Sequence, residues 1–131
     1  MPKVRIIADY CSRGYRLSGD AAGGELPVSA ALAARLAAWN DRFEAHCDPA
    51  AYEDISGKRF DFVAFAVEGL AIAKAVKREL PHWTVTYWDE AVDWYLAREP
   101  RSYNPARSEY EISLEAALTP DGPVPPPATE D

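Results

Sequence analysis

The first apolar segment of the chain is short and β-branched. Val4, Ile6 and Ile7 form most of it, and polar or charged residues bound it on both sides. Such side chains favour extended backbone, so we predict a strand over residues 3–9. A second segment, residues 83–88, alternates large side chains with Thr84 and Thr86. This period of two predicts a strand that buries one face.

Two longer segments repeat their apolar residues with the period of an α-helix. In the first, Leu32, Leu36, Trp39 and Phe43 follow at steps of four, three and four, and Ser29 is a suitable N-cap. The second helix is predicted over residues 61–80. Its apolar line consists of Phe62, Ala66, Gly69, Ala73, Val76 and Leu80, with Val63, Val67 and Leu70 beside it. The glycine on this line costs helix stability, which predicts a close approach to a neighbouring strand or helix.

Glycine and proline residues, which interrupt regular structure, and residues that cap helices predict the remaining segments. The glycine-rich residues 18–24 are predicted to form a loop. Asp89 can cap a short third helix over residues 90–98, which Pro100 would end. Residues 109–114 are predicted as a last strand. Residues 120–131 contain five prolines and no apolar period, so we expect a disordered, acidic tail after a folded domain of residues 1–119.

The order of these elements predicts the fold class. Strands separated by helices require crossover connections, which produce parallel pairing. We therefore predict a small α/β domain in which one layer of parallel or mixed sheet, with two to four strands, packs with two main helices and a short third helix. The strands are too few for a full dinucleotide-binding fold.

Length and charge narrow the class of partner. The chain has 131 residues, which suits one domain, and a formal net charge of −7. This charge argues against nucleic acid, whose phosphates require a basic surface. No segment approaches the roughly twenty apolar residues that cross a bilayer, and the N-terminus lacks a signal-peptide pattern. We expect a cytoplasmic protein that does not associate with membranes.

The loop after the first strand, DYCSRGYR at residues 9–16, contains a cysteine, a serine and two arginines. A phosphatase loop of the cysteine type would place an arginine six positions after Cys11, but Leu17 occupies that position. A catalytic role for Cys11 is therefore not expected. His46 and His82 lie far apart and lack further ligands at helical or hairpin spacing, so we do not expect a zinc site.

Carboxylates follow both main strands. If these strands are parallel, Asp9 and Asp89 emerge at the same sheet edge, where open α/β sheets bind ligands. Glu90 would join them, with Tyr10 and Asp93 nearby. Such a group can bind Mg²⁺ or Ca²⁺, or raise the pKa of one of its members for acid–base chemistry. The alternative is structural, since acids suit the N-terminal end of the predicted third helix.

Aromatic residues are concentrated near the second strand. Tyr87, Trp88, Trp94 and Tyr95 lie within nine positions, with acidic residues between them. Exposed aromatic side chains with a polar rim are typical of protein-binding surfaces. We predict that these four residues bind a partner. The alternative is that they complete the core.

The chain resembles a group of small bacterial proteins. They share a first strand ending in ADY, a helix introduced by LPVS and ending in tryptophan, and a segment like EGLAIAKAVKRELPHWTVTYWDE; the resemblance covers residues 4–90 in outline. It implies a small α/β protein and supplies no catalytic residues. We expect a non-catalytic, cofactor-free, immunity-like or accessory protein that binds another protein or a second copy of itself, as a homodimer. The alternative is a small metal-dependent hydrolase or ligand-binding domain that uses the carboxylate edge with Mg²⁺ or Ca²⁺.

Overall fold

A computed structural model describes residues 1–9, 11–47, 62–89 and 108–119. These residues form one mixed sheet with two main helices and a short third helix, as the predicted fold class requires. The elements in chain order are β1 (Pro2–Ile6), β2 (Tyr15–Gly19), α1 (Ala30–Cys47), α2 (Phe62–Glu79), β3 (Thr84–Trp88), β4 (Glu109–Glu111) and α3 (Leu114–Leu118).

The sheet has the strand order β2-β1-β3-β4. β1 and β3 are parallel, with Ile6 opposite Tyr87, which confirms the predicted crossover pairing. β2 pairs with β1 and β4 pairs with β3, both antiparallel, so the sheet is mixed. Because side chains alternate across a strand, Val4, Ile6, Val85 and Tyr87 share one face. All four are buried in the core with residues of both main helices.

The helices begin and pack largely as their patterns predict. The Ser29 hydroxyl accepts a hydrogen bond from the Leu32 N–H at 3.2 Å, as an N-cap does. Leu32, Leu36 and Trp39 are buried. The Ser29 hydroxyl also donates to Glu79 at 2.8 Å, which connects the start of α1 to the end of α2.

Gly69 confirms the predicted close approach. A Cβ atom at this position would overlap the indole of Trp39 and the hydroxyl of Tyr87. The predicted apolar line of α2 was incomplete, because Phe65 and Ile72 are also fully buried. Both lie on the face of α2 that contains Gly69, one turn to either side.

Several predicted boundaries were wrong. Ser18 and Gly19 fall within the loop predicted over residues 18–24, but they end β2, where they pair with Lys3 and Pro2. The first strand ends at Ile6 rather than at residue 9, and the last strand is shorter than residues 109–114 because Ser113 caps α3. The helix predicted over residues 90–98 and the tail over residues 120–131 lie outside the described residues.

Candidate functional site

The loop after β1 is held by a buried side chain on α1. Asn40 accepts a hydrogen bond from the Asp9 N–H at 2.8 Å and donates to the backbone carbonyl oxygens of Asp9 and Ser12 at 3.0 and 2.8 Å. It is fully buried, and Glu44, one turn later, accepts from its amide group. These bonds hold the loop against α1. Sequence reasoning did not identify this role of Asn40, because nothing local to residue 40 indicates which loop it contacts.

The cysteine in this loop is accessible. Cys11 is exposed and adopts a left-handed backbone conformation, with φ of 55°. A cleft of about 620 Å³ lies beside it, with charged residues of both signs in its lining: Asp9, Arg13, Arg16 and Glu25. Arg16 forms an ion pair with Asp9 across this cleft.

The two carboxylates of the predicted metal edge do emerge at neighbouring strand ends. β1 and β3 are parallel, so Asp9 and Asp89 both follow the C-terminal ends of paired strands. The carboxylate of Asp9 pairs with Arg16, and the backbone N–H of Asp89 donates to Ser108 at 2.7 Å. Glu90 lies outside the described residues. Within residues 1–9, 11–47, 62–89 and 108–119, no group of three or more histidine, cysteine, aspartate or glutamate residues could hold a metal ion.

The predicted partner-binding aromatics separate into different environments. Tyr87 is fully buried, and its hydroxyl donates to the carbonyl oxygen of Ala66 at 2.9 Å. It belongs to the core, because Gly69 leaves room for its ring against α2. A partner therefore cannot reach Tyr87 in this structure. Trp88 is half-buried at the end of β3, and Trp94 and Tyr95 lie outside the described residues.

Trp88 lies on the sheet face opposite the helices. The strand register places it beside Glu109, and Thr86 and Arg5 are on the same face. Glu109 accepts hydrogen bonds from Arg5 at 2.9 Å and from Thr86 at 2.8 Å. Burial opposes ionisation of Glu109, but these two hydrogen bonds and the positive charges of Arg5 and Lys3 outweigh it, so its pKa lies below the usual value. The carboxylate thus connects β1, β3 and β4.

Tyr110 of β4 lies on the helix side of the sheet. Its ring meets the ring of Tyr87 edge to face, with centroids 5.8 Å apart. Burial raises the pKa of Tyr110 to about 12, and the negative charge of Asp89 adds to this effect. The side chain nevertheless remains 39% exposed. Sequence reasoning did not select Tyr110, although the alternation of Glu109, Tyr110 and Glu111 is typical of a strand with one apolar face.

Comparison with known proteins identifies one family. A family model described as Serratia CdiI immunity protein-like matches residues 2–90, which include β1, β2, α1, α2 and β3. No curated protein and no solved structure matches the chain. In the part of the chain that the structure describes, no helix has the length and apolar character needed to cross a membrane.

Proposed function

Because the chain belongs to the Serratia CdiI immunity protein-like family, we propose that it is an immunity protein that binds a protein toxin and blocks its activity. The family match is the observation that carries this proposal. Toxin–immunity pairs include some of the tightest protein complexes known. We therefore expect a stoichiometric complex with a dissociation constant in the nanomolar range or below.

Charge supports this role. The chain has 21 acidic and 14 basic residues, and several of the described bases are held in ion pairs within the chain. An acidic protein attracts a basic partner at long range and accelerates its association. Enzymes that act on nucleic acids carry the complementary basic surface. A basic toxin is therefore the partner that this chain is best suited to bind.

The experiment is a growth assay with any toxin domains that are encoded next to this gene. Each toxin domain is induced with and without this protein, and the purified pair is then examined by calorimetry. We expect rescue of growth by one toxin–immunity pair and a one-to-one complex. If no neighbouring toxin is neutralised and none binds, the proposed function is wrong.

Of the two described members of the predicted aromatic surface, Tyr87 is fully buried and Trp88 is half-buried, so we propose that Trp88 contacts the toxin. Trp88→Ala should weaken toxin binding by roughly 10- to 100-fold, as the loss of an aromatic anchor does, with the helical circular dichroism retained. Trp83→Ala is the matched control. Trp83 packs against the core, so its loss should lower stability and leave the affinity of the folded protein within about threefold. Trp94→Ala extends the test to residues outside the described part.

The second candidate is a metal-dependent ligand-binding or hydrolytic site at Asp9 and Asp89. The parallel pairing of β1 with β3, which brings both acids to one edge, favours it. In that case Mg²⁺ or Ca²⁺ should raise the melting temperature, because ligands that bind only the native state stabilise it. If the response is the same in the double variant Asp9→Asn, Asp89→Asn, this candidate is wrong.

A further inference from the structure

One side of β4 is unpaired within the described residues, because β4 is an outer strand of the sheet. The Ile112 N–H donates to Val85 at 2.8 Å, and Ser108 accepts from the Asp89 N–H at 2.7 Å. Backbone groups alternate in direction along an antiparallel strand. Ser108, Tyr110 and Ile112 therefore face β3, whereas Glu109 and Glu111 direct their N–H and C=O groups away from the sheet. Such a row of groups can pair with another strand.

Exposed apolar side chains lie close to this edge in sequence. Tyr110 is 39% exposed, Leu114 is 41% exposed and Leu118 is 65% exposed. Leu114 and Leu118 are one helical turn apart on α3, so they share a face. Apart from Met1, these three are all of the large apolar residues that are exposed in the described part of the chain. Exposed apolar side chains that lie close together in sequence, with charged neighbours, are compatible with an interaction site.

The described charged side chains of β4 and α3 are acidic. Glu111 and Glu115 are exposed, and no hydrogen bond or ion pair holds their carboxylates among the described residues. Glu109 is already neutralised by Arg5. Arg78 is the base at α3, where its guanidinium donates to the Ala117 carbonyl at 2.7 Å. The surface that the described residues of β4 and α3 offer a partner is therefore negative and partly apolar.

We infer that β4 is the docking strand of this protein, and that an extended, basic segment of the toxin pairs with it as a fifth strand. This inference rests on the proposed function. Addition of a strand supplies backbone hydrogen bonds, and alternate side chains determine specificity. Lysine or arginine residues of the segment would meet Glu111 and Glu115, and its apolar residues would contact Tyr110, Leu114 and Leu118.

The same acids disfavour a second copy of this chain as the occupant. Two β4 strands paired with each other would bring glutamates of the two copies together, and like charges opposite each other destabilise a sheet. The other outer strand, β2, is a poorer docking strand. Its apolar residues Tyr15 and Leu17 pack against the core, and the exposed Arg16 and Ser18 supply no apolar anchor.

Hydrogen exchange at individual amides tests the pairing directly. The probe is the toxin domain identified by the growth assay, carrying a substitution that removes its toxicity. In the free protein, the amides of Glu109 and Glu111 should exchange faster than those of Tyr110 and Ile112, which face β3. In the saturated complex, exchange at Glu109 and Glu111 should slow by at least about tenfold.

Charge reversal tests the partner chemistry. The double variant Glu111→Lys, Glu115→Lys should weaken toxin binding by about tenfold or more and reduce the salt dependence of association. The matched control is Glu25→Lys, Asp41→Lys, which changes the net charge equally at two exposed positions away from β4. It should change affinity by less than about threefold. Leu118→Ser should weaken binding by roughly tenfold without unfolding, because Leu118 is mostly exposed.

The outcomes separate this inference from the proposed function. If the toxin binds and growth is rescued, but the Glu109 and Glu111 amides keep their free exchange rates, strand addition is wrong while the immunity role stands. If the charge reversal at Glu111 and Glu115 and the control reversal weaken binding equally, the docking site at β4 is also wrong. If these amides become protected as the concentration of the chain alone rises, the occupant is a second copy and the inference is wrong. Without any toxin binding, both proposals fail.

Discussion

Trp39 of α1 lies flat against Phe65 of α2, with ring centroids 4.5 Å apart and an angle of 8° between the planes. The indole N–H of Trp39 also donates to the backbone carbonyl oxygen of Phe65 at 3.0 Å. The next carbonyl along α2, that of Ala66, accepts the hydroxyl of Tyr87. Two buried aromatic side chains thus keep their polar groups bonded while they join both helices to the sheet.

Gly69→Ala should destabilise the protein, although alanine normally stabilises a helix interior. The added methyl group would overlap the Trp39 ring and the Tyr87 hydroxyl. We expect a loss of about 1–3 kcal/mol in the free energy of unfolding, which is typical of overpacking. Urea denaturation measures it. An increase in stability of about 1 kcal/mol, as helix propensity alone predicts, would contradict the close approach.

Asn40→Ala should release the loop that follows β1. The change removes the partners of the Asp9 N–H and of two carbonyl oxygens from a buried site. We expect a loss of about 2–4 kcal/mol in the free energy of unfolding. Asp41→Ala, at the neighbouring exposed position, should remain within about 0.5 kcal/mol of the wild type. If the two variants are equally stable, Asn40 does not hold the loop.

Glu109→Gln should weaken the sheet in a pH-dependent way. The pKa of Glu109 is lower in the folded protein than the usual 4.5, because its hydrogen bonds to Thr86 and Arg5 outweigh the effect of burial. A lowered pKa stabilises the fold at pH values above the ordinary pKa, and this stabilisation is lost as the pH falls through the folded-state pKa.

At pH 7 we expect Glu109→Gln to cost roughly 1–2 kcal/mol, since the Glu109 side chain is only 22% exposed and accepts two hydrogen bonds. The difference from the wild type should shrink as the pH falls below 4.5. Thermal denaturation at several pH values measures it. A difference that is constant with pH would mean that the charge of Glu109 does not contribute.

Tyr110 should make stability fall at alkaline pH. Its pKa is raised from 10.0 to about 12 in the folded protein, so between these values the phenol ionises in the unfolded chain but stays neutral in the folded one. Stability from this group is therefore complete below pH 10 and is lost as the pH rises towards 12. Tyr110→Phe should lose less stability over this interval. In a pH titration followed by the ultraviolet absorbance of tyrosinate, the variant should lack one tyrosine that ionises near pH 12.

The sequence predicts those parts of the fold in which the spacing of apolar residues within one element shows which of its faces is buried. Leu32, Leu36 and Trp39 indicate the buried face of α1 by their spacing, and Val85 and Tyr87 indicate that of β3. β2 was missed because Tyr15 and Leu17 are its only apolar pair, with Arg16 between them and Gly14 and Gly19 at its ends. Its extended conformation depends on pairing with β1, which sequence spacing does not reveal.

The candidate site was harder to predict for a similar reason. The aromatic pattern of β3 does not distinguish Tyr87, buried against Gly69, from Trp88 on the opposite sheet face, because which face is covered depends on where α2 packs. The placement of Asp9 and Asp89 followed from parallel pairing alone and was predicted. The ion pair of Asp9 with Arg16 depends on the position of β2, which contains Arg16, so the sequence does not predict this ion pair. The exposure of Tyr110 and Leu118 indicates a binding surface only once β4 is known to be an outer strand of the sheet.

The central pairing of β1 with β3 also determines when a newly made chain can form its sheet. Ile6 leaves the ribosome early, but its partner Tyr87 follows 81 residues later. At translation rates of 5–20 residues per second, the first strand waits about 4–16 s for its neighbour. During that interval β4 has not been synthesised either, so a nascent chain cannot yet complete its four-stranded sheet.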